Sequence, residues 1–81
     1  MSMLDLFNHP YFRQGFCDQR NERWEPAYER WDQLKQNLYE HGRQLAASKA
    51  AKELLPVLPT ATDRSLQKAY ARAIVEKDVV F

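Results

Sequence analysis

Apolar residues recur at helical spacing along most of the chain, and no segment carries a β-hairpin signal. The clearest pattern lies near the C-terminus, where Leu66, Ala69, Tyr70, Ala73 and Ile74 are separated by steps of three and one. Such positions share one face of an amphipathic helix. The pattern predicts a single all-α domain with three helices: a short first helix over about residues 9–19, a long second helix over 26–53 and an amphipathic third helix over 62–77.

Prolines and capping residues set the boundaries of these helices. Asn8 and Pro10 are typical of a helix start, and Pro26 fits the first turn of the second helix. The segment LLPVLP, residues 54–59, ends the second helix, and its apolar residues are expected to lie across the core. TATD, residues 60–63, resembles a capping signal for the third helix. Residues 1–8 are expected to form a short lead-in, and DVVF, 78–81, an apolar tail that packs on the core.

The second helix is predicted to be long for so small a protein. At 1.5 Å per residue, residues 26–53 would span roughly 42 Å. Its apolar face is predicted to contain Trp31, Leu34, Leu38, His41 and Leu45. A helix of this length would either protrude from the domain or bend.

Gly15 and Gly42 are the only glycines, and both fall inside predicted helices. A glycine in a helix interior costs about 1 kcal/mol relative to alanine, so each position requires a reason. One interpretation is close packing, in which the missing side chains let the first and second helices cross tightly. The alternative is that Gly42 marks a kink in the long helix.

The segments PYFRQGFCDQR, NERWEPAYERW and YEHGRQLA, within residues 10–47, resemble the ribosome modulation factor family of small bacterial and phage proteins. The resemblance implies a helical hairpin that binds the ribosome to promote hibernation. The matching positions are Gly15, Phe16, Tyr39, Gly42 and Arg43, which the resemblance implies are mostly scaffold positions. The chain departs from the strongly basic family, because its net charge is +1 and residues 1–40 carry seven acidic against five basic side chains. The LLPVLP segment and the third helix have no counterpart in that family.

Composition favours a soluble cytoplasmic protein. Cys17 is the only cysteine, so no internal disulfide can form, which fits a reducing compartment. The N-terminus lacks the pattern of a signal peptide, and no apolar run is long enough to span a membrane. The small net charge supplies no strong global attraction to nucleic acid or to anionic membranes.

No motif for catalysis, metal binding or a cofactor is found. His9, Cys17 and His41 do not have the spacing of metal ligands. Cys17 follows Phe16 and is expected to be a small buried side chain rather than a nucleophile. We therefore expect a protein without enzymatic activity, bound metal or cofactor.

Two surfaces are candidates for binding a partner. Arg64, Lys68 and Arg72 form a stripe along the third helix, to which Arg43 would be added if the second helix lies alongside. This stripe would bind nucleic acid, or it is an ordinary solvated face. The second candidate is the loop with Trp24 and Tyr28, flanked by Arg20 and Arg23, because Trp, Tyr and Arg dominate binding hot spots. Trp31 is expected to belong to the core.

The sequence-based hypothesis is a small regulatory protein that binds a larger macromolecular partner, which by resemblance is the ribosome or its RNA. One alternative is a phage or mobile-element protein that binds and inhibits a host protein complex. Another is a homodimer formed through the long second helix. Binding to RNA through the basic stripe should weaken steeply with salt, whereas a protein interface at Trp24 should respond less.

Overall fold

A computed structural model describes residues 3–55 and 62–79, and every regular element within these ranges is helical. The all-α fold class is therefore confirmed, but the described residues form more helical segments than the pattern predicts. These are α1 (Met3–Phe7), α2 (Pro10–Arg20), a 3₁₀ helix (Pro26–Arg30), α3 (Gln33–Ala47), α4 (Lys49–Leu54) and α5 (Asp63–Val75).

The first predicted helix is α2, and the predicted lead-in contains the additional helix α1. Pro10 begins α2, which buries Phe12, Gly15 and Phe16 at the spacing of one helical face. Phe7 of α1 is buried, and its ring centroid lies 5.2 Å from that of Phe16 in an edge-to-face arrangement. The apolar lead-in is helical because it packs on this aromatic core.

The prediction of one long helix over residues 26–53 is wrong. A short 3₁₀ helix begins at Pro26, and Asp32 then caps α3 by accepting a hydrogen bond of 3.0 Å from the backbone N–H of Lys35. Ser48 ends α3 and caps α4, because its Oγ donates to the Leu45 carbonyl (2.6 Å) and accepts from the Ala51 N–H (3.1 Å). These side chains satisfy the backbone groups that an interrupted helix leaves unpaired. The longest dimension of the structure is accordingly only 33 Å.

The buried face of α3 also differs from the predicted one. Leu34 is 68% exposed, and Trp31 precedes the helix. The buried positions of α3 are Tyr39, Gly42, Leu45 and Ala46. Only Leu45 belongs to both faces, because the helix turns Gly42 and its neighbours toward α2.

Helix α5 closes the core from the other side. Thr62 is its N-cap and forms a capping box with Ser65, not with Asp63 of the TATD signal. The helix buries Leu66, Ala69 and Ala73, while Ile74 of the predicted face is 47% exposed. Two segments predicted to pack on the core are described only in part: LLPVLP, in which Leu55 is buried, and DVVF, in which Val79 is buried. Residues 56–61 and 80–81 lie outside the described residues.

The backbones of α2 and α3 touch at the two glycines. A Cβ atom at Gly15 would overlap the carbonyl oxygen of Tyr39 and lie 2.8 Å from its carbonyl carbon. A Cβ atom at Gly42 would overlap the carbonyl oxygen of Phe12 and lie 2.9 Å from the backbone nitrogen of Phe16. The contacts are reciprocal: Gly15 faces Tyr39 and Gly42 faces Phe12, which makes the two helices antiparallel. Helix α3 continues through Gly42, and the chain breaks at Ser48 instead.

Replacing either glycine by alanine should destabilise the fold, although alanine is the better helix former. The added methyl group would meet backbone atoms that cannot rotate away, so we expect a loss of about 2–4 kcal/mol in the free energy of unfolding. Urea denaturation of the Gly15→Ala and Gly42→Ala variants measures this loss of stability. Ala71→Gly, at an exposed position of α5, is the matched control and should cost only about 1 kcal/mol. A Gly42→Ala variant as stable as the parent protein would contradict the close-packing interpretation.

His41 lies on α3 between the rings of Phe12 and Tyr70, each with its centroid 5.3 Å away. Burial lowers the pKa of His41 from 6.5 to about 4, because the apolar surroundings disfavour the charged imidazolium. The imidazole is therefore neutral in the folded protein at neutral pH and helps to join α2, α3 and α5.

Acidification should destabilise the protein through His41. Because its pKa is lower in the folded than in the unfolded state, its contribution to stability is present above about pH 6.5 and is lost as the pH falls towards 4. The melting temperature should fall over this window, and His41→Gln should lessen the fall. His9→Gln, at an exposed position before α2, is the control. If the melting temperatures of the parent protein and of His41→Gln fall equally as the pH is lowered, His41 has no such role.

Candidate functional site

Trp24 is the most exposed aromatic side chain among the large hydrophobic residues of the described chain, at 52%. It lies in the loop between α2 and the 3₁₀ helix. Its ring centroid is 4.8 Å from that of Tyr28 and 5.4 Å from that of Tyr39. Trp24, Tyr28, Arg23 and Arg43 together are called the aromatic–arginine surface below.

Arg43 of α3 fixes the position of this loop. Its guanidinium carbon lies 5.0 Å from the centre of the Trp24 ring, in the range of a cation–π contact. Its Nη1 donates a hydrogen bond of 2.6 Å to the backbone carbonyl of Arg23. Arg43 therefore holds both the backbone before Trp24 and the Trp24 ring itself.

Tyr39 supports the surface from below. Its ring is fully buried, and its hydroxyl donates to Asp18 Oδ2 (2.7 Å) while accepting from the backbone N–H of Glu25 (3.0 Å). Burial and the hydrogen bond to Asp18 raise the pKa of Tyr39, so the phenol stays protonated. The hydroxyl thus joins the end of α2 to the loop that carries Trp24.

Glu25 completes the attachment of the loop. Its Oε2 accepts a hydrogen bond of 2.5 Å from Gln14 Nε2 on α2, and its Oε1 accepts one of 3.1 Å from the backbone N–H of Ala27. Glu25 also precedes Pro26, so the same side chain caps the 3₁₀ helix. Trp24 therefore stands on a loop held by side chains from α2 and α3.

Trp31 is only partly buried and lies beside this surface, not in the central core as expected. Its ring centroid is 4.9 Å from that of Tyr11 and 5.4 Å from that of Tyr39, both in edge-to-face arrangements. The Trp31 side chain therefore links α2 to α3 at the end of the aromatic cluster.

Arg20 does not join the aromatic–arginine surface as the sequence-based hypothesis expects. Its guanidinium donates to the backbone carbonyl of Leu55 and lies over the Phe16 ring, 4.6 Å from its centroid. Burial lowers the pKa of Arg20. The side chain lines an open groove of about 560 Å³, together with Gln19, Glu22, Ala46, Ala47 and Lys52.

The basic stripe predicted on the third helix is interrupted. Arg64 and Lys68 are exposed on α5, but Arg72 contacts Glu53 Oε2 of α4 (2.5 Å) and Glu76 Oε1 (2.7 Å). These carboxylates raise the pKa of Arg72 and oppose its charge. Arg43 contributes to the aromatic–arginine surface and does not extend this stripe.

The side chains with metal-binding or nucleophilic chemistry lie in different settings. The His9 ring lies near Tyr11, Cys17 is partly buried in α2, and His41 lies between α2 and α5. Among residues 3–55 and 62–79, no group of three His, Cys, Asp or Glu residues could hold a metal ion. In the same part of the chain, no helix has the length and apolar character needed to cross a membrane.

In comparisons with known proteins, no family model, curated protein or solved structure matches this chain.

The sequence-based hypothesis missed two supports of the surface, the partly buried Asp18 and Glu25, and it included Tyr39 only as a scaffold position implied by the resemblance. One signal was available: Asp18 lies one turn after Gly15, and Tyr39 lies one turn before Gly42. In an antiparallel pair that crosses at the glycines, those positions lie at the same end of the contact. Glu25 carries no such signal, because its place depends on the path of the loop.

Tyr39→Phe should destabilise the protein while preserving its ring packing. The change removes the hydroxyl that forms hydrogen bonds to both Asp18 and Glu25, and we expect a loss of about 1–3 kcal/mol in the free energy of unfolding. Urea denaturation followed by circular dichroism measures this loss. Tyr11→Phe is the control, because the hydroxyl of this partly buried residue makes no hydrogen bond within the described part of the chain. Equal stabilities for the two variants would contradict the role assigned to the Tyr39 hydroxyl.

Proposed function

We propose that this protein is a small, non-catalytic cytoplasmic regulator that binds a larger macromolecular partner through its aromatic–arginine surface. The resemblance to ribosome modulation factors suggests the ribosome as that partner. The observation that carries the proposal is the exposed Trp24, which is stacked against Arg43 and held on a firmly attached loop.

The geometry of Trp24 suits a binding hot spot. Trp, Tyr and Arg are the residue types that most often contribute large binding energies at interfaces. A side chain that already has its bound position loses little conformational entropy on association. Arg43 and Tyr28 hold the Trp24 ring in this way while leaving half of it exposed.

The charges favour contact with a protein component of the partner over contact with RNA. Binding to RNA gains affinity mainly from many basic contacts to phosphates. Arg72 is engaged by two carboxylates, and the loop around Trp24 carries exposed glutamates next to its arginines. A ribosomal protein surface is therefore the favoured contact, with RNA binding through Arg64 and Lys68 as the competing possibility.

Trp24→Ala should strongly reduce capture of the partner. The tagged protein is incubated with bacterial lysate, and bound material is identified by mass spectrometry and by sedimentation with ribosomal subunits. We expect ribosomal subunits to be captured by the parent protein and by Leu34→Ala, which removes an exposed apolar side chain on α3. We expect at least a tenfold loss with Trp24→Ala, consistent with a hot-spot residue worth about 2 kcal/mol.

A second variant separates the two surfaces. Arg64→Glu combined with Lys68→Glu should leave capture unchanged if the aromatic–arginine surface makes the contact. Loss of capture with this variant, but not with Trp24→Ala, would overturn the proposed surface and favour RNA binding by α5. Capture of one non-ribosomal protein complex would instead support the alternative of an inhibitor of a host complex.

A further inference from the structure

Aromatic side chains form a continuous row that extends from the aromatic–arginine surface across to α2. The ring centroid of Trp24 lies 4.8 Å from that of Tyr28, which lies 6.1 Å from that of Trp31. The Trp31 centroid in turn lies 4.9 Å from that of Tyr11. Trp24 is exposed, and the other three side chains are partly exposed. These four residues are called the aromatic row below.

One buried ring fixes most of the row from below. The Tyr39 centroid lies between 5.4 and 5.7 Å from those of Trp24, Tyr28 and Trp31. Successive rings of the row are inclined to each other by 54° to 75°. The row is therefore a series of shallow notches between ring edges and ring faces, held on a rigid base.

The row also offers hydrogen-bond donors. Within the described residues, neither the Trp24 nor the Trp31 indole N–H forms a hydrogen bond. Although the Trp31 side chain is partly buried, its indole nitrogen is not enclosed. Indole N–H groups usually bind an acceptor at an interface, so the row is suited to a ligand that brings carbonyl oxygens as well as apolar surface.

The charges around the row are mixed in sign. A cation lies over each end: the Arg43 guanidinium carbon is 5.0 Å from the centre of the Trp24 ring, and the Lys35 Nζ is 5.3 Å from that of Tyr11. The other charged residues of the segment 23–32, with the one beside the Tyr28 hydroxyl, are Arg23, Glu25, Glu29, Arg30, Asp32 and Glu40. Four acidic and four basic residues therefore surround the row. A platform for single-stranded nucleic acid requires a positively charged groove, so this balance favours an uncharged ligand.

We propose that the aromatic row binds a proline-rich segment of another protein in the polyproline II (PPII) conformation. Proline rings are apolar and rigid, and they pack into aromatic-lined grooves such as the notches of the row. A PPII helix has no internal hydrogen bonds, so its carbonyl oxygens are free to accept from the indole N–H groups. Each step of the row, 4.8 to 6.1 Å, is shorter than one PPII turn of roughly 9 Å, so the row contacts at most two turns.

Other modes of peptide recognition fit this surface less well. Addition of a strand requires an exposed sheet edge, and every regular element of residues 3–55 and 62–79 is helical. Docking of an amphipathic helix requires a continuous hydrophobic groove, whereas a charged side chain lies over each end of the row. The inference rests on the proposed function, since it names the kind of partner segment that Trp24 contacts.

The experiment titrates the purified full chain into fluorescein-labelled decaproline and follows the fluorescence anisotropy. We expect saturable binding with a dissociation constant of about 10–500 µM, because at most two PPII turns contact the row. A labelled Gly-Ser peptide of the same length is a flexible coil and should bind at least tenfold more weakly.

Variants of the two tryptophans test the row itself. Trp24→Phe and Trp31→Phe keep an aromatic ring but remove the indole N–H, and each should weaken decaproline binding about three- to tenfold. Trp24→Ala also removes the ring and should weaken binding at least tenfold. Val75→Ala, at a side chain of α5 that is 80% exposed, is the matched control and should leave the affinity unchanged. Circular dichroism shows whether each variant is folded.

The inference is overturned if the parent protein fails to bind decaproline at concentrations up to about 1 mM, or binds the Gly-Ser peptide equally well. It is equally overturned if the folded Trp24 variants bind decaproline as the parent protein does, because the peptide then uses another face. Tighter, salt-sensitive binding of a labelled ten-nucleotide oligo(dT) would show a nucleic-acid platform instead.

This titration contains no lysate, so its failure is distinguishable from failure of the proposed function. Capture of ribosomal subunits through Trp24 without decaproline binding would refute the proline-rich segment and leave the proposed function intact. Decaproline binding without capture of ribosomal subunits would support the aromatic row and refute the ribosome as the partner.

Discussion

The contact between the backbones of α2 and α3 is the constraint on which the rest of the structure depends. Gly15 and Gly42 each occupy a position where a Cβ atom would overlap the facing carbonyl. The two helices therefore have one antiparallel register, with Phe12 opposite Gly42 and Tyr39 opposite Gly15. Each glycine lowers helix propensity by about 1 kcal/mol relative to alanine, and the close packing that it permits offsets this loss.

The same register determines the candidate surface. It buries the Tyr39 ring between the helices, where a hydroxyl without partners would be unfavourable, and it brings Asp18 within 2.7 Å of that hydroxyl. The second hydrogen bond of the hydroxyl holds the backbone of Glu25, and Arg43, next to Gly42, reaches the Trp24 ring. The core contact and the exposed Trp24 consequently belong to one packing arrangement.

The parts of the fold that could be predicted from sequence are those with local causes. The buried face of α2 and most of that of α5 follow from periodicity, and the glycines indicate close packing because their helix propensity is poor.

The break at Ser48 could not be predicted, because serine is an ordinary helix residue unless the chain turns and uses its hydroxyl as a cap. The pairing of Arg72 with Glu53 depends on how α4 packs against α5, and no spacing in the sequence shows it. Trp24 could be named because it lies in a loop beside a proline, but the role of Arg43 depends on which side of α3 faces α2.

An exposed tryptophan in so small a domain requires a physical reason. Mobile surface loops usually carry polar side chains, and an indole on such a loop would lose conformational entropy on binding. Here the Tyr39 hydroxyl accepts a hydrogen bond from the backbone N–H of Glu25, and Arg43 donates one to the backbone carbonyl of Arg23, so the loop holds the indole in one place. Because the nearby charges are mixed in sign, long-range electrostatic steering would contribute little to the proposed contact, and short-range packing around Trp24 would determine its affinity. Under the proposed function, a surface of this kind would recognise the shape of another protein more than its net charge.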